Sequence, residues 1–287
     1  MAVALDKLRA FRIRSEHAYS KKDTILYALG LGLGASEADL QFVYEQGLKV
    51  LPTFGGVLGY PGFWIKDHPE FGIDWRKVLN GEQSLRLHRP LPVEGKVVGE
   101  MRVADVVDKG PGKDCLVYTV REVRDEKEDL LCEVFNTVVL RGHGGVGGQG
   151  VSSASRPSAP KAPQGRADHV VDFDILPQAA LIYRLSGDYN PLHADPAVAR
   201  QVGFPRSILH GAATWGIAGH VLLHCLCGGD AERVRSFGAR FTSPVFPGET
   251  LRTEIWNSEP GRAVFRCSVP ARDKNVLDFG AFGFASG

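Results

Sequence analysis

Two parts of the chain repeat each other at a nearly constant distance, and no other feature restricts its fold so strongly. Tyr27-Ala-Leu-Gly-Leu-Gly matches Tyr183-Arg-Leu-Ser-Gly-Asp at an offset of 156 residues, and Pro90-Leu-Pro-Val-Glu-Gly95 parallels Pro244-Val-Phe-Pro-Gly248 at 153 to 154. A shift that holds at two distant places argues for a duplicated unit. The length of 287 residues suits two domains of about 100–150 each. Between the copies, 142–167 contains Gly-Gly-Val-Gly-Gly-Gln-Gly and Ser-Ser-Ala-Ser-Arg-Pro-Ser-Ala-Pro-Lys-Ala-Pro. That composition buries too little apolar surface to order itself and reads as a linker. The expected division is a first repeat over 1–142, a linker over 143–167 and a second repeat over 168–287.

Each copy runs from helical to strand patterning. In the first, Ser20-Lys-Lys-Asp23 caps a short helix over 24–30, and 36–49 carries a weaker helical pattern. The segment 51–62 is dense in glycine and proline and reads as loop or irregular strand, with a short helical segment over 74–80. From Gln83 the period becomes that of strands, over 83–88, 95–107, 114–124 and 130–140. The second copy has a helical start, an apolar helix over 209–226, and strands near 234–243, 249–257, 261–270 and 275–285.

Composition narrows the function classes. With 34 basic and 33 acidic residues there is no charge excess to suit nucleic acid or an anionic membrane. The longest apolar candidate, 208–226, is interrupted by His210, His220, His224 and three glycines, short of a membrane span. The first residues become charged too early for a secretory signal. Five cysteines at irregular spacings read as reduced thiols of a soluble intracellular protein. Cys225 and Cys227 are too close for common zinc spacings, and His220 and His224 lack a third ligand in the sequence, so no metal is expected.

Chemistry concentrates in 183–211. Asp188 and His193 are five apart, which one unbroken helix would not bring together, but Asn190-Pro191 between them forces a turn that can aim both at one point. An acid and an imidazole meeting at a water can take and return a proton, commonly worth about 10²–10⁴-fold. Gly211 opens the apolar helix, where free N–H groups and the positive end of the helix dipole point outward, so its N–H is a candidate oxyanion donor. Neither a Gly-x-Ser-x-Gly elbow nor a cysteine with an evident base is present, which disfavours a nucleophilic mechanism. Activated water beside a polarised carbonyl fits addition of water to a conjugated double bond, or its reverse. At the repeat offset, Gly32 and Glu37 stand opposite Asp188 and His193, so only the second copy carries the pair. The first copy would then be structural, or would shape a substrate pocket.

Gly-Asp188-Tyr-Asn190-Pro-Leu-His193, with Gly203-Phe-Pro-Arg-Ser-Ile-Leu-His-Gly211 and Arg240-Phe-Thr-Ser-Pro-Val-Phe-Pro-Gly-Glu-Thr-Leu251, resembles MaoC-like (R)-specific enoyl-CoA hydratase 2. Gly81-Glu-Gln, Pro90-Leu-Pro and Ala104-Asp-Val-Val-Asp-Lys109-Gly extend the likeness into the first copy, toward the hydratase domain of peroxisomal multifunctional enzyme type 2. The resemblance implies an α+β double hot-dog fold, each half a long helix wrapped by an antiparallel sheet. It also implies reversible hydration of trans-2-enoyl-CoA to (3R)-3-hydroxyacyl-CoA, with no cofactor. Asp188 and His193 would hold the water, Gly211 N–H the thioester oxygen, and Asn190 would orient them. Substrate contacts would come from Asn80, Gly81, Lys109, Tyr189, Pro191, Leu192 and Phe241, with Lys109 facing a CoA phosphate. Asn80 departs from the pattern, which has histidine there. A homodimer is implied. A peroxisomal location is implied too, although Phe-Ala-Ser-Gly is not the usual C-terminal address, so a cytoplasmic one is the alternative. The same scaffold could serve a dehydratase acting on acyl-carrier-protein thioesters, a thioesterase or a non-catalytic acyl-CoA-binding module.

Overall fold

The structure is a computed structural model and describes residues 3–147 and 160–285. Ten strands form one antiparallel sheet: β1 (Arg12–Tyr19), β2 (Val78–Leu87), β3 (Gly95–Asp108), β4 (Cys115–Asp125), β5 (Leu130–Leu140), β6 (His169–Asp174), β7 (Val234–Phe241), β8 (Thr250–Glu259), β9 (Arg262–Val269) and β10 (Lys274–Phe284). Their order is β1-β3-β4-β5-β2-β7-β10-β9-β8-β6. Read from the middle outward, each half has the same sequence of strands, so the duplication seen in the sequence becomes two equivalent five-stranded sheets. They join at the β2–β7 seam, where Glu82 pairs with Arg240 and Leu85 with Phe237.

The matching helices meet on the same near-symmetry. Lys21–Gly30 starts behind a capping box in which Ser20 and the Asp23 side chain satisfy one another's backbone donors. It packs on Ala179–Tyr183, and the two tyrosines matched in sequence, Tyr27 and Tyr183, lie with ring centroids 5.8 Å apart.

The double hot-dog architecture stands, with one correction: only the second half has a long helix. Gly211–Cys227 runs 17 residues and packs on β6, β7, β8 and β10. In the first half that place holds a five-residue 3-10 turn, Pro52–Gly56. Packing explains the loss. A Cβ on Gly55 would stand 3.0 Å from Leu85 Cδ1 and 3.1 Å from Cys132 Sγ, so the turn lies against the sheet with no space for a helix. The central helix of the second half fills the middle instead, and one apolar cluster takes in Tyr27, Phe54 and Leu85 together with Trp215, Leu222, Phe237 and Phe265.

Smaller differences have local causes. The helical pattern over 36–49 yields only a 3-10 turn (Glu37–Asp39) and a single helical turn (Leu40–Val43), and 74–80 becomes a 3-10 turn at Trp75–Lys77 that feeds β2. The middle of the expected linker, 148–159, lies outside the described residues. Its described ends are tied down. Gly145 and Val146 donate to Asp108, while Gly165 accepts from Trp256 Nε1 and Ala162 packs on Trp256 and Val264. None of the five cysteines is disulfide-bonded, and no helix among the described residues is long and apolar enough to cross a membrane.

Candidate active site

The turn at Asn190-Pro191 is built as its residues demand. Asp188 Oδ1 accepts from Asn190 N–H at 3.2 Å, and Asn190 Oδ1 accepts from Leu192 N–H at 3.1 Å, capping the 3-10 turn Pro191–His193. The proline sits where no backbone donor is needed. His193 is thereby turned inward, 8 % exposed, and its Nδ1–H donates to the Ile208 carbonyl at 3.0 Å. A carbonyl only accepts, so the proton is on Nδ1 and neutral His193 presents Nε2 as a lone pair. Burial lowers its pKa despite the opposing pull of the Asp188 charge and the Ile208 hydrogen bond, which keeps it a base at neutral pH.

His210 lies against both Asp188 and His193. Its Nε2–H donates to the Asp188 carbonyl at 3.1 Å, and its ring stacks on His193 with centroids 3.7 Å apart and planes 26° from parallel. Burial and the neighbouring His193 depress its pKa strongly. Two stacked imidazoles cannot both be charged, so His210 stays neutral and fixes Asp188 from behind. The ligating atoms of Asp188, His193 and His210 lie within 4.8 Å of one another, a span that one water bridges. Both histidines already spend one ring nitrogen on a backbone carbonyl, and stacked rings aim their lone pairs side by side, which suits hydrogen bonding better than chelation.

Gly211 follows His210 as the first residue of the central helix. Among the described residues its N–H has no acceptor, as expected for a first-turn donor. A Cβ at this position would stand 3.2 Å from Phe241 Cε1, so the ring of Phe241 covers the glycine and leaves a narrow slot.

The remaining expected contacts divide. Tyr189, 57 % exposed and under the Arg184 guanidinium at 5.0 Å, lies with Pro191 and Leu192 on the same turn as Asp188. Asn80 and Gly81 stand at a bulge of β2, and Gly81 is next in register to Phe241 beyond the Glu82–Arg240 pair. Lys109 is exposed in the β3–β4 turn, with β4 and β5 between it and β2, and no described contact joins it to the turn. The structure also shows what spacing could not. Asp39 of the first half accepts from His220 Nε2 at 2.9 Å and lies 3.6 Å from His224, which ties the central helix to its neighbour repeat. A cleft of about 270 Å³ adjoins the Asp188 turn, lined by Leu185, Ser186 and Gly187 on one side and by Phe54, Val57 and Tyr60 on the other.

Fold and geometry define a class, a double hot-dog protein with an Asp188–His193–His210 cluster at the head of the one long helix among the described residues. Residues 17–142 match the family described as MFE-2 hydratase 2 N-terminal domain, and 158–277 match the MaoC like domain. Among similar proteins, 3-hydroxyacyl-thioester dehydratase Y of Mycobacterium tuberculosis is 45 % identical, over 94 % of each chain. Peroxisomal enoyl-CoA hydratase 2 of Arabidopsis thaliana is 38 % identical, over 95 % of this chain and 93 % of its own. The crystal structure of a MaoC-like dehydratase from Phytophthora capsici superposes with a TM-score of 0.89 at 32 % identity, covering 99 % of this chain and 98 % of that one. The chain belongs to the MaoC-like family, in the form that joins a MaoC-like domain to an MFE-2 hydratase 2 N-terminal domain.

Proposed function

We propose that this protein catalyses reversible hydration of trans-2-enoyl-CoA to (3R)-3-hydroxyacyl-CoA. The observation that carries the reading is the convergence of Asp188 and the free Nε2 edge of His193 beside the unpaired N–H of Gly211. Asp188 and His193 hold the water. As its oxygen bonds to C3, one proton passes to His193 Nε2 and the π electrons move through C2 to the thioester oxygen. Gly211 N–H and the positive end of the helix meet that developing charge. The enolate then collapses and C2 takes a proton back from the pair, so the elements of one water are added. Dehydration is the same path reversed. Asn190 is a positioning residue, since its oxygen is committed to the turn. Gly81 and Phe241 border the slot, and Tyr189, Pro191 and Leu192 shape the turn's outer face. Lys109 is assigned to the CoA moiety on the family pattern alone, and Asn80 to a substrate contact on its position alone, since the pattern has histidine there. The first repeat, without the acid–imidazole pair, forms the acyl side of the cleft.

The test follows loss of enoyl absorbance with crotonyl-CoA and a longer enoyl-CoA, with product chirality. Asp188→Asn and His193→Ala should each lower kcat by about 10²–10⁴-fold. Release of free CoA without hydration, or near wild-type turnover by either variant, would overturn the reading.

A further inference from the structure

The cleft beside the Asp188 turn is not the apolar slot that a plain alkyl chain needs. Phe54 and Val57 give it an oily side, but His17, Tyr60 and Ser186 also line it. Ser186 Oγ is buried with no hydrogen-bond partner. His17 Nδ1 accepts from Gly59 N–H at 3.2 Å, so the neutral ring carries its proton on Nε2. The two carboxylates at the cleft, Glu16 and Asp23, are committed elsewhere, to Arg14 at 2.7 Å and to the Ser20 cap. What is left over is the His17 Nε2–H and the hydroxyls of Tyr60 and Ser186, each able to donate.

Arg121 stands behind this wall. It faces inward on β4 between Thr119 and Val123 and is 3 % exposed. Its guanidinium lies 5.4 Å from the Tyr60 ring centroid. Among the described residues its one hydrogen bond runs from Nη2 to the Gly56 carbonyl at 2.6 Å, and its buried Nε has no partner. Cys132 and Tyr60 are its ionisable neighbours, and among the described residues no carboxylate forms an ion pair with it; the carboxylate that acts on Tyr60 is Asp188. A buried cation with no counter-charge is costly, and one wedged into an otherwise apolar strand face calls for something that compensates it. Pinning the Gly56 turn uses one of its five N–H groups.

We propose that the acyl chain this cleft accepts carries an oxygen acceptor, a keto or carboxylate oxygen. The hydroxyls of Tyr60 and Ser186 donate to that oxygen, and Arg121 supplies the positive field behind Tyr60. The proposal rests on the enoyl-thioester reading given above and narrows its substrate class. A keto and a carboxylate oxygen present the same acceptor chemistry, and charge tells them apart.

The test compares kcat/KM of the wild-type protein for matched trans-2-enoyl-CoA thioesters, plain alkyl, ω-keto and ω-carboxy, in short, medium and long chains. At one length an oxygenated substrate should exceed its alkyl counterpart by about tenfold or more. That ratio should fall toward unity in Arg121→Met. Tyr60→Phe and Ser186→Ala, which preserve packing, should each reduce it and carry the test should Arg121→Met not fold. Preference for the alkyl chain at every length overturns the proposal, as does a ratio untouched by all three substitutions. An Arg121→Met variant that slows all substrates alike marks a structural pin and also overturns it. Hydration of none of the three by the wild-type protein overturns the enoyl-thioester reading itself, and this proposal with it.

Discussion

In the proposed mechanism Gly211 separates two kinds of residue: those whose side chains act and one whose lack of a side chain does. Gly211→Ala places a methyl 3.2 Å from Phe241, in the slot where the thioester oxygen would meet the helix N–H. The helix itself tolerates alanine well. The expected outcome is a kcat/KM lower by about 10–10³-fold, on the scale of a lost oxyanion donor, with thermal stability nearly intact. A fall in melting temperature matching the fall in rate would show that the glycine serves packing alone. The approach of Asp188 to His193, beside the helix that Gly211 starts, could be read from sequence because a proline turn and a helix start fix their placement locally. The work of His210 could not, since a stack on His193 depends on how two turns approach one another. Arg121 was hidden for another reason: Val120-Arg121-Glu122-Val123 alternates ambiguously, and only the folded sheet shows that the arginine faces in.

Among the elements, the central helix depends on small residues where it crosses the first repeat. A Cβ on Gly219 would overlap Thr53 Cγ2 and stand 3.1 Å from Phe237 Cε1. Gly219→Ala gains helix propensity, about 1 kcal/mol, but overpacking a tight core costs about 1–3 kcal/mol. The variant should therefore be less stable than wild type in urea unfolding, and adding Thr53→Ser, which removes the clashing methyl, should restore the midpoint. No recovery in the double variant would mean the strain lies elsewhere. Seven strands matched their sequence signals to within two residues, because glycine, proline and charged turns bound them, while β2 begins five residues earlier than expected, in a stretch read as helical. β1, Arg-Ile-Arg-Ser-Glu-His-Ala-Tyr, and the six-residue β6 escaped notice: both are edge strands, and the charges of the first mask its alternation. The missing helix of the first half escaped for the opposite reason, since the family likeness supplied a helix that Pro52, Gly55 and Gly56 do not support.

For the molecule as a whole, buried neutral histidines couple folding to pH. His17, His193, His210 and His220 all have pKa values lowered chiefly by burial, His220 to about 4. Below about pH 6.5 the unfolded chain binds protons that the folded chain refuses, so stability is full above that value and is lost as pH falls. Each histidine contributes a slope of at most about 1.4 kcal/mol per pH unit. Denaturant unfolding at several pH values between neutral and mildly acid should show this loss, and His220→Gln should make it shallower. Equal unfolding midpoints across that range would contradict the burial described.

The mirrored strand order, with both repeats in one chain, has a consequence for how such a protein can change. In a dimer of two identical single repeats, one gene writes both sheets. Any substitution that widens the binding half then also strikes the half that does chemistry. Once the two are fused, a mutation falls on one side of the seam only. The first repeat could then exchange a helix for a turn and admit a buried arginine, while Asp188, His193 and Gly211 kept their places. On the division of labour proposed above, substrate range and reaction chemistry are separately heritable in this chain.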